Sequence, residues 1–140
     1  MRYYLKYMLM TLLVCVAMGA QAKQIKTSHM YMFGFAASFK DSVVYMTEIQ
    51  DVQGAWYNTK SKALLGRDNY SLQLKEHFRE KMQMPDRICM VIFATSIKKA
   101  EKKYMKLRKK YIGDKKHPSS YEVRYITTQD FKFEAIDMGE

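Results

Sequence analysis

Ile88-Cys89-Met90-Val91-Ile92-Phe93-Ala94 is an apolar run without a charge, and Thr95-Ser96-Ile97-Lys98-Lys99-Ala100 follows it directly. The run is too short for a helix, and its β-branched and aromatic content reads as a strand covered on both faces. Ser96 then stands where an N-cap belongs. Ile97, Ala100, Tyr104, Leu107 and Tyr111 fall on one stripe at helical spacing, with mostly lysine between them. A buried strand running into a strongly basic amphipathic helix is the frame on which the other segments are placed.

Upstream, Tyr31, Phe33, Phe35, Ala37 and Phe39 alternate with Met32, Gly34, Ala36 and Ser38. Period two, with one aromatic and one small face, predicts a strand whose small face admits a helix closely. After Lys40-Asp41-Ser42, Val43–Gln50 alternates again, so the two strands form a β-hairpin. Asp51–Asp68 carries Gly54, Asn58 and Gly66 and reads as a loop bearing Trp56. Asn69 or Ser71 caps a helix to about Met82, with Tyr70, Leu74 and Phe78 at i, i+4, i+8. Pro85 ends that helical stretch.

Downstream of the basic helix, Gly113-Asp114 stops the chain and Lys115–Ser120 is loop. Tyr121–Ile126 alternates as a half-exposed strand. Phe131, Phe133 and Ala135 resume the alternation, as a fifth strand or a bulged continuation. The expected fold is α+β, ββαβαβ with a terminal β to be placed. It is a two-layer sandwich of one mixed or antiparallel sheet with two helices on one face.

Arg2 and Lys6 precede the uncharged apolar segment Met8–Ala20, and Ala20-Gln21-Ala22 follows. A basic n-region, a short apolar core and a small-x-small site predict a signal peptide, residues 1–22, cleaved after Ala22. The apolar segment is shorter than the roughly 20 residues a bilayer-spanning helix needs, so no transmembrane segment is expected after cleavage. Val14 before Cys15 is too bulky for a lipobox. Residues 23–29 read as a disordered tail and 30–140 as one domain.

The whole chain carries +10, and removing Arg2 and Lys6 with the signal leaves +8. That balance favours anionic partners. Of the two cysteines, Cys15 leaves with the signal, so Cys89 has no intramolecular disulfide partner and reads as a small core residue.

The chemistry-bearing motifs are sparse. His29, His77 and His117 have no Cys or carboxylate at metal-ligand spacing, and H-x-x-x-H, C-x-x-C and H-E-x-x-H are absent from the sequence. There is no G-x-S-x-G elbow and no Gly-rich loop after a strand. His29-Met30-Tyr31-Met32 offers soft ligands for Cu(I), but two thioethers on one strand face serve equally as core. Neither a catalytic residue, a metal nor a cofactor is assigned.

Lys99, Lys102, Lys103, Lys106, Lys109 and Lys110 form a cationic face opposite the apolar stripe. Such a face gives salt-sensitive, sequence-blind attachment to phosphates or sulfates. Trp56, Arg67 and Tyr70 are the candidates for contact with a partner or ligand. The preferred function is a binding or accessory domain, monomeric or weakly oligomeric, for an envelope protein or polyanion, without specific nucleic-acid readout. The alternative is a hydrolase with its acid/base pair near residues 51–70, favoured by a crevice joining Arg67, Asp68 and Tyr70 to a carboxylate.

Phe33-Gly34-Phe35-Ala36-Ala37-Ser38-Phe39-Lys40-Asp41-Ser42-Val43-Val44-Tyr45-Met46-Thr47-Glu48-Ile49-Gln50 resembles small exported α+β proteins of Bacteroidales. Arg67-Asp68-Asn69-Tyr70-Ser71 with Gln73-Leu74, and Lys102–Tyr111, fit the same group. The resemblance implies a Gram-negative envelope, periplasm or outside. It brings no activity, cofactor or site residue with it.

Overall fold

The structure is a computed structural model and describes residues 23–139. The expected signal peptide, 1–22, lies outside the described residues. In chain order the elements are β1 (Gln24–Lys26), β2 (Tyr31–Ala37), β3 (Val43–Thr47), β4 (Gln50–Asp51), β5 (Trp56–Asn58) and β6 (Ala63–Leu64). Then follow α1 (Arg67–Glu80), β7 (Ile88–Ala94), α2 (Ile97–Ile112) and β8 (Glu122–Ile126). The class is α+β, with two helices among the described residues and a mixed sheet, as the sequence pattern implies.

β2 is the axis of the main sheet. β7 pairs antiparallel along its whole length, while β3 and β4 share its other edge, and β8 lies parallel to β3. Phe35 pairs with Met46 but Met32 with Gln50, so the β3–β4 side holds one residue more than β2 opposite it. That is a β-bulge. The Thr47 hydroxyl meets it, accepting a 2.8 Å hydrogen bond from the Gly34 amide.

The two helices do not share a face, which corrects the sequence expectation. Met32, Ala36, Tyr45, Val91 and Ile126 pack with Tyr70, Leu74 and Phe78 of α1. Phe33, Phe35, Val44 and Met46 pack with Tyr104, Leu107 and Tyr111 of α2. Successive residues of a strand point to opposite faces, so α1 and α2 flank the sheet. The reason is topological: β3-α1-β7 crosses the sheet one way and β7-α2-β8 crosses back. Two parallel crossovers of one hand running in opposite directions place their helices on opposite faces. On the α1 side, a Cβ at Gly34 would lie 2.5 Å from a Leu74 methyl. The small face does admit a helix closely.

β7 is an edge strand, against the expectation of a strand covered on both faces. Ile88 and Met90 are exposed, and the strand covered on both faces is β2. Nor is the segment 23–29 a tail. β1 pairs with β5, which pairs with β6, in a small second sheet built from the stretches read as tail and loop. Backbone pairing holds this sheet, and no side-chain alternation advertises it.

The last segment, after Asp130, is not a strand, yet Phe131 and Phe133 are buried. Two glutamine amides replace the ladder. Gln50 donates to the Phe131 carbonyl (3.0 Å) and accepts from the Phe133 amide (2.8 Å). Gln73 does the same at Glu134 (2.9 and 3.0 Å).

Candidate functional site

Ser96 caps α2 as its position implies, its hydroxyl accepting from the Lys99 amide at 3.3 Å. The stripe then fixes the roll of the helix. Ala100 is buried, Tyr104 meets Phe33 edge-on at 5.1 Å, and Tyr111 lies 4.9 Å from Phe35. With that side committed to the sheet, Lys99, Lys102, Lys106 and Lys109 point away from it. Among the described residues no lysine of α2 forms an ion pair. Packing against β2 and β3 therefore holds together a row of cations that repel one another.

Two of the six candidate lysines are engaged elsewhere. Lys110 sits over the Tyr111 ring at 5.8 Å. Lys103 turns back to β7, donating to the Phe93 carbonyl at 2.8 Å with its ammonium 5.5 Å from the Phe93 ring. Arg67, from the start of α1, mirrors it. Its Nε donates to the Val91 carbonyl at 2.9 Å, and its guanidinium lies 5.3 Å from the same ring. Two cations thus cover carbonyls on an edge strand without charged residues of its own, which guards it against pairing with another chain.

Trp56, Arg67 and Tyr70 do not assemble into a contact surface. Tyr70 is fully buried, its hydroxyl accepting from the Ile136 amide at 3.0 Å, and burial pushes its phenol pKa up. Trp56 is half-buried under the C-terminal segment: a Cβ at Gly139 would fall 2.0 Å from the indole. Its indole N–H is buried without an acceptor among the described residues. Asp68 is on the exposed first turn of α1. The residues named for a hydrolase are therefore not brought to one crevice.

The structure supplies a partner that the sequence reading lacked. His29 Nδ1 lies 2.7 Å from Asp51 Oδ2, with the ring stacked on Tyr31. The His29 ring is exposed and the Asp51 carboxylate partly so. Met30 and Met32 are in the core, which takes both thioethers out of the soft-ligand arrangement. Among the described residues no cluster of three His, Cys, Asp or Glu could hold a metal ion. None of the described helices is long and apolar enough to cross a membrane.

A cleft of about 590 Å³ lies on the α1 side, where the C-terminal turn of that helix faces β8. Tyr45, His77, Lys81, Arg124, Gln129 and Asp130 line it. Desolvation lowers the pKa of His77; Asp130 opposes that shift and Lys81 reinforces it. Arg124 reaches the Tyr45 hydroxyl at 3.4 Å and grips Glu122 through two nitrogens. Below, the buried Arg87 guanidinium lies 5.1 Å from the Tyr45 ring and makes a bidentate pair with Asp41 at 3.0 and 2.6 Å. The Val43 amide and then Arg87 hold the Asp41 carboxyl below the usual carboxylate range. The cleft can seat a small polar molecule. Sequence reasoning missed it because its walls come from residues 45, 77–82 and 124–130. The parallel pairing of β3 with β8 sets Tyr45 beside Arg124, and no local pattern in the sequence signals it.

Comparison with known proteins adds no relative: no family model, no curated protein and no solved structure matches this chain.

Proposed function

We propose that this chain is an exported accessory domain that attaches to an anionic polymer or surface in the cell envelope through the outward face of α2. It is a binding domain rather than a catalytic one. The observation that carries this reading is the row Lys99, Lys102, Lys106 and Lys109. These are exposed side chains without ion pairs among the described residues, on a helix whose roll is fixed by Tyr104 and Tyr111. A rigid row of uncompensated cations displaces counterions from a polyanion, so attachment depends on salt and not on sequence. Export is supported by the basic n-region, the segment Met8–Ala20 and the Ala20-Gln21-Ala22 site.

Heparin binding measured against salt tests the attachment. The wild type binds at low ionic strength and releases as salt rises. Replacing Lys102, Lys106 and Lys109 with Gln reduces the salt slope by about one for each contact removed. A wild type that ignores heparin at low salt sinks the proposal. Export has a separate test, since protein from the native envelope fraction should begin at Lys23 by mass spectrometry. An intact Met1 there refutes cleavage.

A further inference from the structure

Exposed apolar and aromatic side chains gather along one flank of α2. Met105 is 55% exposed and Ile112 43%, and on the neighbouring β8 side Tyr121 is 47% and Tyr125 46% exposed. Two contacts tie this flank of the helix to the β8 side. Arg108, between Met105 and Ile112 on the helix, donates from Nε to the Tyr125 hydroxyl at 2.7 Å, with its guanidinium 5.8 Å from that ring. Tyr111, one residue before Ile112, meets the Tyr121 ring edge-on at 5.1 Å. At 3.6 residues per turn, Lys102 and Lys109 lie about 60° further round the helix, which makes them the border of the apolar flank.

We infer that the anionic surface this protein attaches to is a lipid bilayer, with Met105, Ile112, Tyr121 and Tyr125 entering the headgroup region while Lys102 and Lys109 meet lipid phosphates. The inference rests on the attachment through α2 proposed above and names its partner. Cations bordering exposed apolar residues, with tyrosines alongside, is the composition an interfacial surface needs. A sulfated glycan or a nucleic acid backbone would use the lysines and leave Met105 and Ile112 in water. Base stacking is poorly served, because the Arg108 guanidinium lies over the Tyr125 ring and Tyr121 is packed against Tyr111.

The test is co-sedimentation of the protein with phosphatidylglycerol/phosphatidylcholine vesicles and with pure phosphatidylcholine vesicles, beside heparin binding of the same samples. The wild type should bind the anionic vesicles at least about tenfold more tightly than the neutral ones. Met105→Ser with Ile112→Ser should weaken vesicle binding about tenfold and leave heparin affinity within about twofold, since binding to a bilayer scales with the apolar area it buries. Lys102→Gln with Lys109→Gln should weaken both. Heparin binding without vesicle binding overturns the lipid inference and leaves polyanion attachment standing. Vesicle binding indifferent to the Met105/Ile112 change also overturns it, because the attachment would then be electrostatic alone. A wild type that binds neither removes both readings.

Discussion

α1 and α2 are of similar length, 14 and 16 residues, and they flank the same sheet, yet they bury very different surfaces. α1 sinks Tyr70, Leu74 and Phe78 completely, whereas α2 sinks only Ala100 and leaves Tyr104, Leu107 and Tyr111 half-buried. The small face of β2 accounts for the difference. Gly34 leaves room for Leu74 of α1 to pack close against β2, while on the other face Phe33 and Phe35 meet the rings of Tyr104 and Tyr111 of α2. The helix with the buried stripe is scaffold, and the one with the half-buried stripe is a platform for its own outward side chains.

Truncation should expose the contrast most strongly. Phe78→Ala, which empties a fully buried ring position against Tyr45, should cost about 3–5 kcal/mol in urea denaturation. Leu107→Ala, half-buried under α2, should cost about 1–2 kcal/mol. Equal costs would break the comparison. The close approach of α1 can be tested on its own. Gly34→Ala drives a methyl against Leu74 and should cost about 1–3 kcal/mol. Combining it with Leu74→Ala should be less damaging than the sum of the two changes, and strict additivity would refute the contact.

A smaller effect concerns pH. Burial lowers the folded-state pKa of His77, so the unfolded chain takes up that proton more readily. Its contribution is complete above the ordinary histidine value of about 6.5 and is lost as pH falls toward the lowered folded pKa. Asp41, also lowered, acts at the acid end: its contribution is present above about pH 4 and is lost as the carboxylate protonates. Urea midpoints against pH should therefore fall in two stages, with His77→Gln flattening the upper stage and Asp41→Asn the lower.

On the α1 side of β7, burial pushes the Cys89 thiol up to about 11, leaving little thiolate near neutral pH. Folded protein should react with a thiol reagent far more slowly than protein in urea. Comparable rates would place the thiol outside the packed layer. The smallest effect belongs to the platform. Lys102→Gln, Lys106→Gln and Lys109→Gln together should move stability by no more than about 0.5 kcal/mol, since none of the three forms an ion pair among the described residues. A larger loss would make these lysines part of the scaffold after all.

Much of this is legible in the sequence. Alternation gave β2 and β3, spacing gave both helices and their stripes, and Ser96 marked the start of α2. α1 starts at Arg67, ahead of the caps that Asn69 or Ser71 would supply, because it follows Gly66 in a left-handed conformation with φ of 72° and no side-chain cap. Seven apolar residues in β7 said that the strand is partly buried, but not whether one strand or two would flank it. The functional candidates divided the same way. A helix face is a local property, so the cationic row could be read from spacing. The engagement of Lys103 at the Phe93 carbonyl and of Arg67 at the Val91 carbonyl could not.

By itself, then, the sequence determined the long strands of the main sheet, both helices and which side of each helix is apolar, because those follow from periodicities of two and 3.6 within a few consecutive residues. The tertiary structure decided strand order, the faces the helices occupy, and the partners of isolated polar groups. Each of these depends on contacts between residues far apart in the chain, such as Gln50 with Phe133 or Tyr45 with Arg124. No local pattern encodes which crossover runs back across the sheet. That reversal put α2 alone on the aromatic face and turned Lys102, Lys106 and Lys109 outward.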